Sequence, residues 1–290
     1  MHLEEPVYRP PSEAYSLIFQ LTIGCRHNAC TFCGLYKGKP YRSKTWEQIK
    51  RDIDSCANLR GVQRVFLADG DALAADTSLI LKTAFYLDKI FPGLERIAMY
   101  AGPKDILKKS LDELKQIRAS NIQMLYLGVE SGSDKILKAV HKGVTAQEMV
   151  EAGRKALQAG FELSVTVITG LGGTALWEEH AIKTGEIISQ IDPTYLSALT
   201  LMPLPHTILY DQIKQGKFVV PDQMLFFKEM KLLLENLELN NCVFRCNHAT
   251  NYLPLRGVLN RDRDALVAIL DKAIRQPGAV PLRSENARGM

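Results

Sequence analysis

Short apolar runs with the character of β-strands alternate with segments of helical periodicity along most of this chain. Six such runs are bounded by polar turns, and they lie at Leu17–Ile23, Arg64–Ala68, Arg96–Tyr100, Met124–Val129, Leu163–Ile168 and Leu196–Leu201. Strands that alternate with helices are expected to be parallel, because a parallel pair needs a long crossover connection and not a hairpin. Near-continuous apolar character is also typical of parallel strands buried on both faces.

This alternation predicts the fold class and its extent. The chain should be an α/β protein built on a partial (βα)6 barrel of the TIM type, with parallel strands and a C-terminal extension. We expect the barrel core to occupy residues 1–205 and the extension to occupy residues 206–290. A chain of 290 residues with 46% hydrophobic content can bury one large core, so both parts are expected to form one structural domain.

The intervening helices have recognisable ends. Their periodic segments lie at residues 45–53, 79–91, 109–118, 145–158 and 175–190. Thr45 is expected to cap the first helix, because a threonine hydroxyl can accept a hydrogen bond from a free backbone N–H of the first turn. Gly160 is expected to end the fourth helix, because glycine adopts the left-handed conformation that follows many helices.

Unusual residues stand directly after five of the six strands. They are Cys25, Cys30 and Cys33 after the first, Asp69–Asp71 after the second, Glu130–Ser133 after the fourth, Gly170–Thr174 after the fifth and Met202–His206 after the sixth. Functional sites in parallel barrels and open α/β sheets lie at the carboxyl ends of the strands. We therefore expect these five loops to gather around one mouth.

Three cysteines, Cys25, Cys30 and Cys33, fall within nine residues. Thiolates packed this closely suit an iron–sulfur cluster or zinc. A closed structural site takes four ligands, whereas three protein ligands leave a position open for chemistry. No fourth cysteine lies within twenty residues of the loop, so we interpret it as a redox or Lewis-acid centre. A structural zinc site that borrows His27 or a distant cysteine is the alternative.

Charge and composition bound the setting of the protein. The first six residues are acidic and have no apolar h-region, so no signal peptide is expected, and no apolar stretch reaches the length of a membrane span. Adjacent thiols without a sign of secretion argue against disulfides and for a reducing cytoplasm. The net charge of +4 is only mildly basic, so we do not expect a nucleic-acid or membrane partner.

With these residues in view, the chain resembles the radical S-adenosylmethionine (radical SAM) enzymes from about Ser16 to Leu201. The usual signature of that family is three cysteines with an aromatic residue before the last one, and here this residue is Phe32. Four residues separate Cys25 from Cys30, where three is usual. The stretch Val129–Gly132 resembles the motif after strand four in the coproporphyrinogen-oxidase-like and tRNA-modifying branches.

The resemblance implies cofactors and residues that hold them. Cys25, Cys30 and Cys33 would hold three irons of a [4Fe–4S] cluster, and S-adenosylmethionine would bind the fourth iron through its amino and carboxylate groups. The residues implied in binding this cofactor, besides Phe32, are Asp69, Gly70 and Asp71 for the amino group, Glu130 and Ser131 for the ribose and amino acid parts, Gly170 for the adenine and Arg154 for the carboxylate. A tight structural turn at Gly170 and a solvated helix surface at Arg154 are the alternatives.

The resemblance also implies a reaction. An external electron donor of the flavodoxin or ferredoxin type would reduce the cluster, and the reductive cleavage of S-adenosylmethionine would give a 5′-deoxyadenosyl radical that takes hydrogen from a substrate. The radical would be generated by the cluster and S-adenosylmethionine, and no catalytic residue is assigned on the substrate side. We expect a small-molecule or peptide substrate. A tRNA- or porphyrin-modifying radical SAM enzyme and a non-catalytic iron–sulfur or zinc protein are the alternatives.

The substrate side of the site rests on polar residues in otherwise apolar surroundings. The candidates are Tyr36, His206, Arg245, Asn247, His248 and Asn251. His180 is a further candidate, although a lone histidine is more often structural. The segment from Cys242 to Tyr252 is expected to form a strand and a loop that close the open side of the barrel. Cys242 and Cys246 are either ligands of an auxiliary cluster or buried inert thiols.

Overall fold

The computed structural model describes residues 2–289. Its strands are β1 (Leu17–Gln20), β2 (Thr22–Ile23), β3 (Arg42–Ser43), β4 (Arg64–Ala68), β5 (Arg96–Tyr100), β6 (Ile122–Glu130), β7 (Glu162–Thr169), β8 (Tyr195–Thr200), β9 (Cys242–Cys246) and β10 (Leu255–Leu259). Its α-helices are α1 (Trp46–Asp54), α2 (Thr77–Ile90), α3 (Pro103–Lys108), α4 (Leu111–Ala119), α5 (Asp134–Ala139), α6 (Ala146–Gln158), α7 (Trp177–Ile191), α8 (Ile208–Lys214), α9 (Gln223–Glu235) and α10 (Arg263–Arg275).

The chain divides into two compact units that are not continuous in sequence. The first unit comprises the chain up to Asn28, with Leu35–Leu127 and Ala152–Leu163. The second comprises Ala29–Gly34, Gly128–Glu151 and the chain from Ser164 onward. The predicted division at residue 205 does not coincide with these boundaries and stays a prediction.

The first unit is built on parallel strands. β1 pairs with β4, β4 with β5, and β5 with the first part of β6, all in parallel. Phe66, Leu67, Ile97 and Met99 on the central strands are fully buried. β2 leaves this sheet and pairs antiparallel with β3, so the predicted strand Leu17–Ile23 is two strands. β2 is followed directly by Gly24 and Cys25.

The second unit also has parallel strands and adds an antiparallel one. β7 pairs with β8 and β8 with β9 in parallel, and β10 closes the edge as an antiparallel partner of β9. One face of these strands is buried, with Val165, Leu196 and Phe244 at 1% exposure or less. The strand predicted at the start of the segment from Cys242 is therefore confirmed as β9, and β10 was not predicted.

The α/β class and the mostly parallel strands are confirmed, and several local predictions are confirmed with them. Thr45 caps α1 and forms a capping box with Gln48, in which each side chain bonds the backbone of the other. Gly160 follows α6 with a φ of +91°, which is the left-handed conformation expected after a helix. Among the described residues, no helix combines the length and apolarity needed to cross a membrane.

Candidate functional site

In the first unit, Asp69 organises the entrance to the cysteine loop. It follows β4 with a φ of +71° and is fully buried. Its Oδ2 accepts a hydrogen bond from the backbone N–H of Gly24 at 2.6 Å and pairs with Lys39 Nζ at 2.9 Å. Its Oδ1 accepts from Gln20 Nε2 at 3.1 Å. Both oxygens of this carboxylate are thus engaged, and they fix the residue immediately before Cys25.

Gly70 lies directly against the first cysteine. Its N–H donates to the Gly24 carbonyl at 3.1 Å. A Cβ at this position would lie 2.5 Å from Cys25 Cβ and 3.0 Å from the ring of Tyr36. Such distances are far inside van der Waals contact, so only glycine fits here. The turn after β4 and the first cysteine, which sequence reasoning assigned to one site, are therefore in contact.

Asp71 belongs to a buried carboxyl pair that sequence reasoning did not find. Its Oδ1 accepts from the Gly102 N–H at 2.9 Å. Burial, and then the neighbouring Asp105 carboxyl, raise the pKa of Asp71 well above its usual range. Asp105 in turn pairs with Arg26, the residue after Cys25, at 2.6 Å. Burial and the neighbouring carboxyl thus favour the protonated form of Asp71 beside the residue that follows Cys25.

In the second unit, the loop segment Ala29–Gly34 is anchored by its backbone. The Thr31 N–H donates to the Val140 carbonyl at 2.9 Å, and the Thr31 carbonyl accepts from the Leu209 N–H at 3.0 Å. The Thr31 side-chain oxygen is buried and has no hydrogen-bond partner among the described residues. Cys30, Phe32 and Cys33 are partly exposed. Firm backbone contacts thus present two thiols and one aromatic side chain at the surface of this unit.

Glu130 ends β6 in a conformation that costs energy for a residue with a side chain. Its φ is +67°, in the left-handed region that non-glycine residues seldom adopt. Oε1 pairs with Lys142 at 3.0 Å, and Gly128 leaves room for this carboxylate, since a Cβ there would lie 2.2 Å from Oε1. Oε2 is buried without a hydrogen-bond partner among the described residues. A buried carboxylate oxygen in this state fits a donor from a ligand.

The turn after Glu130 is docked on helix α7. The Gly132 N–H donates to Thr184 Oγ1 at 2.9 Å, and a Cβ on Gly132 would lie 2.1 Å from the Lys183 carbonyl oxygen. Ser131 is fully buried, and its hydroxyl accepts from the Ser133 N–H at 3.1 Å. This acceptor role leaves the Ser131 hydroxyl hydrogen as its remaining donor.

A buried histidine and a buried glutamate join the ends of β6 and β7. His180 and Glu229 are 2% and 1% exposed. His180 Nε2 lies 3.2 Å from the Glu130 carbonyl oxygen, and His180 Nδ1 lies 2.6 Å from Glu229 Oε1. Glu229 also accepts from the Gly170 N–H, at 2.9 and 3.0 Å to its two oxygens. The contact between His180 and Glu229 therefore holds two turns, at Glu130 and Gly170, that the sequence predicts to bind the cofactor.

Gly170 itself has a φ of +91°. A Cβ there would lie 2.4 Å from the ring of Phe226 on α9. Both the backbone conformation and the close contact call for glycine. These contacts agree with the alternative left open above, a tight structural turn. The contact of Gly170 with adenine stays a prediction.

The remaining predicted residues have varied surroundings. Arg154 is exposed on α6, and His206 is exposed with a φ of +66°. Tyr36 is 5% exposed and packs edge-on against Tyr8, with ring centroids 5.8 Å apart. Their predicted roles in binding stay predictions.

The loop after β9 supports itself through its own polar side chains. Asn251 is 1% exposed, and its amide accepts from Thr200 Oγ1 at 2.8 Å and donates to the Ala198 carbonyl at 2.9 Å. His248 Nδ1 lies 3.1 Å from Thr250 Oγ1, and burial lowers the pKa of His248. Asn247 is exposed. The contacts of Asn251 hold the loop to β8, while Asn247 is open to solvent.

Cys242 and Cys246 do not form a common metal site. They lie four residues apart on β9, which separates their Cα atoms by about 13 Å. Both are buried, and burial raises the pKa of each thiol to about 12. The interpretation as buried inert thiols is therefore favoured over an auxiliary cluster.

The donor chemistry of the cysteine loop fits an iron–sulfur cluster. Cys25, Cys30 and Cys33 are all partly exposed, in contrast to the buried Cys56, Cys242 and Cys246. Among residues 2–289, no three His, Cys, Asp or Glu side chains are arranged to hold a metal ion. The assignment of three thiols as ligands thus stays a prediction, which rests on residue type, spacing and accessibility.

Sequence reasoning missed several residues that support these turns. Glu229 had a visible signal, because a carboxylate on the apolar face of a helix, between Phe226 and Met230, needs a buried partner. Asp105 and Lys142 had none, since each is an ordinary charged residue in a polar stretch. Their partners come from distant parts of the chain or from a turn that only the folded backbone defines.

Known proteins resemble part of this chain. It is 21% identical over 182 residues to the heme chaperone HemW of Bacillus subtilis, covering 61% of this chain and 46% of that protein. It is 28% identical over 199 residues to tRNA-2-methylthio-N(6)-dimethylallyladenosine synthase of Bordetella avium, covering 63% of this chain and 40% of that protein. The chain therefore spans about half the length of these curated relatives or less.

A solved structure and a family model complete the comparison. The coproporphyrinogen III oxidase of Escherichia coli, described as a radical SAM enzyme, has a TM-score of 0.58 at 21% identity, over 76% of this chain and 52% of that one. This likeness shows the fold. The sequence model of the radical SAM superfamily matches residues 19–184, more than half of the chain, and this protein therefore belongs to the radical SAM superfamily.

Proposed function

We propose that this protein holds a [4Fe–4S] cluster on Cys25, Cys30 and Cys33, binds S-adenosylmethionine beside it, and catalyses reductive cleavage of that cofactor. Proteins of this superfamily use both groups. The observation that carries the proposal is the contact between Gly70 and Cys25, which leaves no room for a side chain. It puts the predicted amino-group turn directly against the predicted first ligand.

The chain's own residues would bind and orient these groups. When bound, the cluster and S-adenosylmethionine supply a one-electron cleavage that yields a 5′-deoxyadenosyl radical. Asp69 holds the backbone before Cys25 through the Gly24 N–H. The unpartnered Oε2 of Glu130 would accept a hydrogen bond from a cofactor hydroxyl or amine.

The substrate is proposed as a small molecule or peptide that gives up a hydrogen atom, with a flavodoxin- or ferredoxin-type protein as the electron donor. One relative is named as a tRNA-modifying synthase, so the expectation that nucleic acid is not a partner has no support from the comparisons. Modification of tRNA or of a porphyrin is accordingly the second candidate. Family membership favours an enzyme over the non-catalytic iron–sulfur or zinc protein.

The test is anaerobic reconstitution with iron and sulfide, followed by dithionite and S-adenosylmethionine and chromatography of 5′-deoxyadenosine. We expect the wild type to form this product and to bind about four irons per chain. Cys30→Ala should form none, while Cys56→Ala, which removes a buried thiol of the first unit, should retain cleavage. No product from a wild type with a full cluster complement would refute the proposal.

A further inference from the structure

A row of polar side chains crosses the sheet of the second unit at a single register. Thr166 on β7 is the partner of Ser197 on β8, Ser197 is the partner of Arg245 on β9, and Arg245 is the partner of Arg256 on β10. Paired residues on neighbouring strands point to the same face of a sheet. These four side chains therefore form one line across four strands.

The face that carries this row is the open one. Thr166 and Ser197 are partly exposed, and both arginines are exposed. The residues on either side of Arg245 point to the opposite face, where Phe244 and Cys246 are 0% and 3% exposed. Cys246 there lines a small cavity with side chains of α9 and α10. The helices thus cover the other face, and the arginine row is turned away from them.

The two arginines repel each other. Residues directly opposite on an antiparallel pair have Cβ atoms about 5 Å apart, and like charges at that spacing destabilise the sheet. Among the described residues, neither Arg245 nor Arg256 forms an ion pair. The one hydrogen bond of the Arg245 guanidinium goes to the Phe244 carbonyl. No ion pair formed by the described residues therefore offsets the repulsion.

Protection of a sheet edge does not explain the pair. A charge on the edge strand discourages pairing with another chain, and Arg256 on β10 would serve for that. Arg245, however, lies on β9, which has partners on both sides. Its register partner on β8, Ser197, is the third of the six residues of that strand, so the row crosses the middle of the sheet and its open face.

We infer that the row Thr166–Ser197–Arg245–Arg256 binds an anionic group of the substrate, a phosphate or a carboxylate. The guanidinium groups match the planar oxygen pairs of such anions and can bind them in a bidentate manner. The hydroxyls of Ser197 and Thr166 supply further donors in the same line. This inference rests on the proposed function, because it names the class of molecule on which the radical would act.

The test uses calorimetric titration of the reconstituted holoprotein, at constant ionic strength, with inorganic phosphate and with malonate as the carboxylate probe. We expect saturable binding of one of them by the wild type and by Arg275→Gln, a control that removes an exposed arginine from α10. Arg245→Gln or Arg256→Gln should each weaken binding by about tenfold or more. The better-bound probe tells a phosphate-bearing substrate from a carboxylate.

A second readout keeps the test decisive if a variant is poorly folded. Phenylglyoxal modification of the wild type, mapped by mass spectrometry, should be slowed at Arg245 and Arg256 by the bound anion, but not at Arg275. Binding of neither probe, unchanged affinity in both variants, or no protection would overturn the inference. The proposed function is judged separately, by 5′-deoxyadenosine from the wild type. If that product is absent while the anion binds, the proposed function fails and the anion site stands.

Discussion

The buried contact between His180 and Glu229 leads to a quantitative prediction for Glu229→Met. The Glu130 carbonyl is only an acceptor, so His180 Nε2, 3.2 Å away, must carry a hydrogen. The 2.6 Å contact between His180 Nδ1 and Glu229 Oε1 then needs one more proton, on the imidazole or on the carboxyl. In both arrangements the pair as a whole is neutral, and Glu229 also accepts from the Gly170 N–H.

The size of the loss in free energy of unfolding follows from the buried polar groups that the substitution leaves without a partner. Methionine has nearly the length and volume of glutamate, so the loss of packing is small. His180 Nδ1 and the Gly170 N–H, both buried, lose their partner, and each such group costs about 1–3 kcal/mol. Breaking a buried ion pair costs about 3–5 kcal/mol by a separate line of evidence. We therefore expect Glu229→Met to lower the free energy of unfolding by about 3–5 kcal/mol.

The assay is urea denaturation of wild type and variant with the same cluster content. At an m-value of about 3 kcal/mol per molar, the midpoint should fall by about 1–1.7 M. Glu229→Gln is the matched control, because its amide can donate to Nδ1 and accept from the Gly170 N–H. Glutamine should therefore recover most of the stability that methionine loses. A loss below about 1 kcal/mol in Glu229→Met would refute the reasoning.

Two further predictions concern the cysteines. Gly70→Ala would place a Cβ 2.5 Å from Cys25 Cβ, so it should lower the free energy of unfolding by about 1–3 kcal/mol and reduce the iron bound per chain. Gly93→Ala is the control and should change neither, because a Cβ there would have no heavy atom nearer than 4.0 Å. Equal iron content in the two variants would contradict this prediction. Because burial raises the pKa of Cys242 and Cys246 to about 12, only about one in ten thousand of these thiols is ionised at pH 8. In the cluster-free protein, iodoacetamide should label these two cysteines much more slowly than Cys25, and the rate of labelling should rise about tenfold per pH unit towards pH 11. Peptide mapping measures both rates. Labelling of Cys242 and Cys246 as fast as that of Cys25 would count against their burial.

Local patterns predicted most of the elements. The six apolar runs, the Thr45 cap and the glycine after α6 were all readable, because each depends on neighbours within a few residues. The break of Leu17–Ile23 into β1 and β2 could not be predicted in this way, since it depends on the pairing of Ile23 with Arg42, nineteen residues away. The edge strand β10 was missed for a similar reason. Its sequence, Leu-Arg-Gly-Val-Leu, contains a glycine and gains its register only from β9.

The sequence by itself determined the family, the donor chemistry of the cysteine loop and the alternation of strands and helices, because residue type and short spacing carry that information. Only the tertiary structure decided which groups support the site. The contact of Gly70 with Cys25, the bond of His180 to both Glu130 and Glu229, and the facing of Arg245 with Arg256 all join segments far apart in the chain. Such partners are selected by packing and by the need of buried polar groups for hydrogen bonds, and no local pattern encodes them.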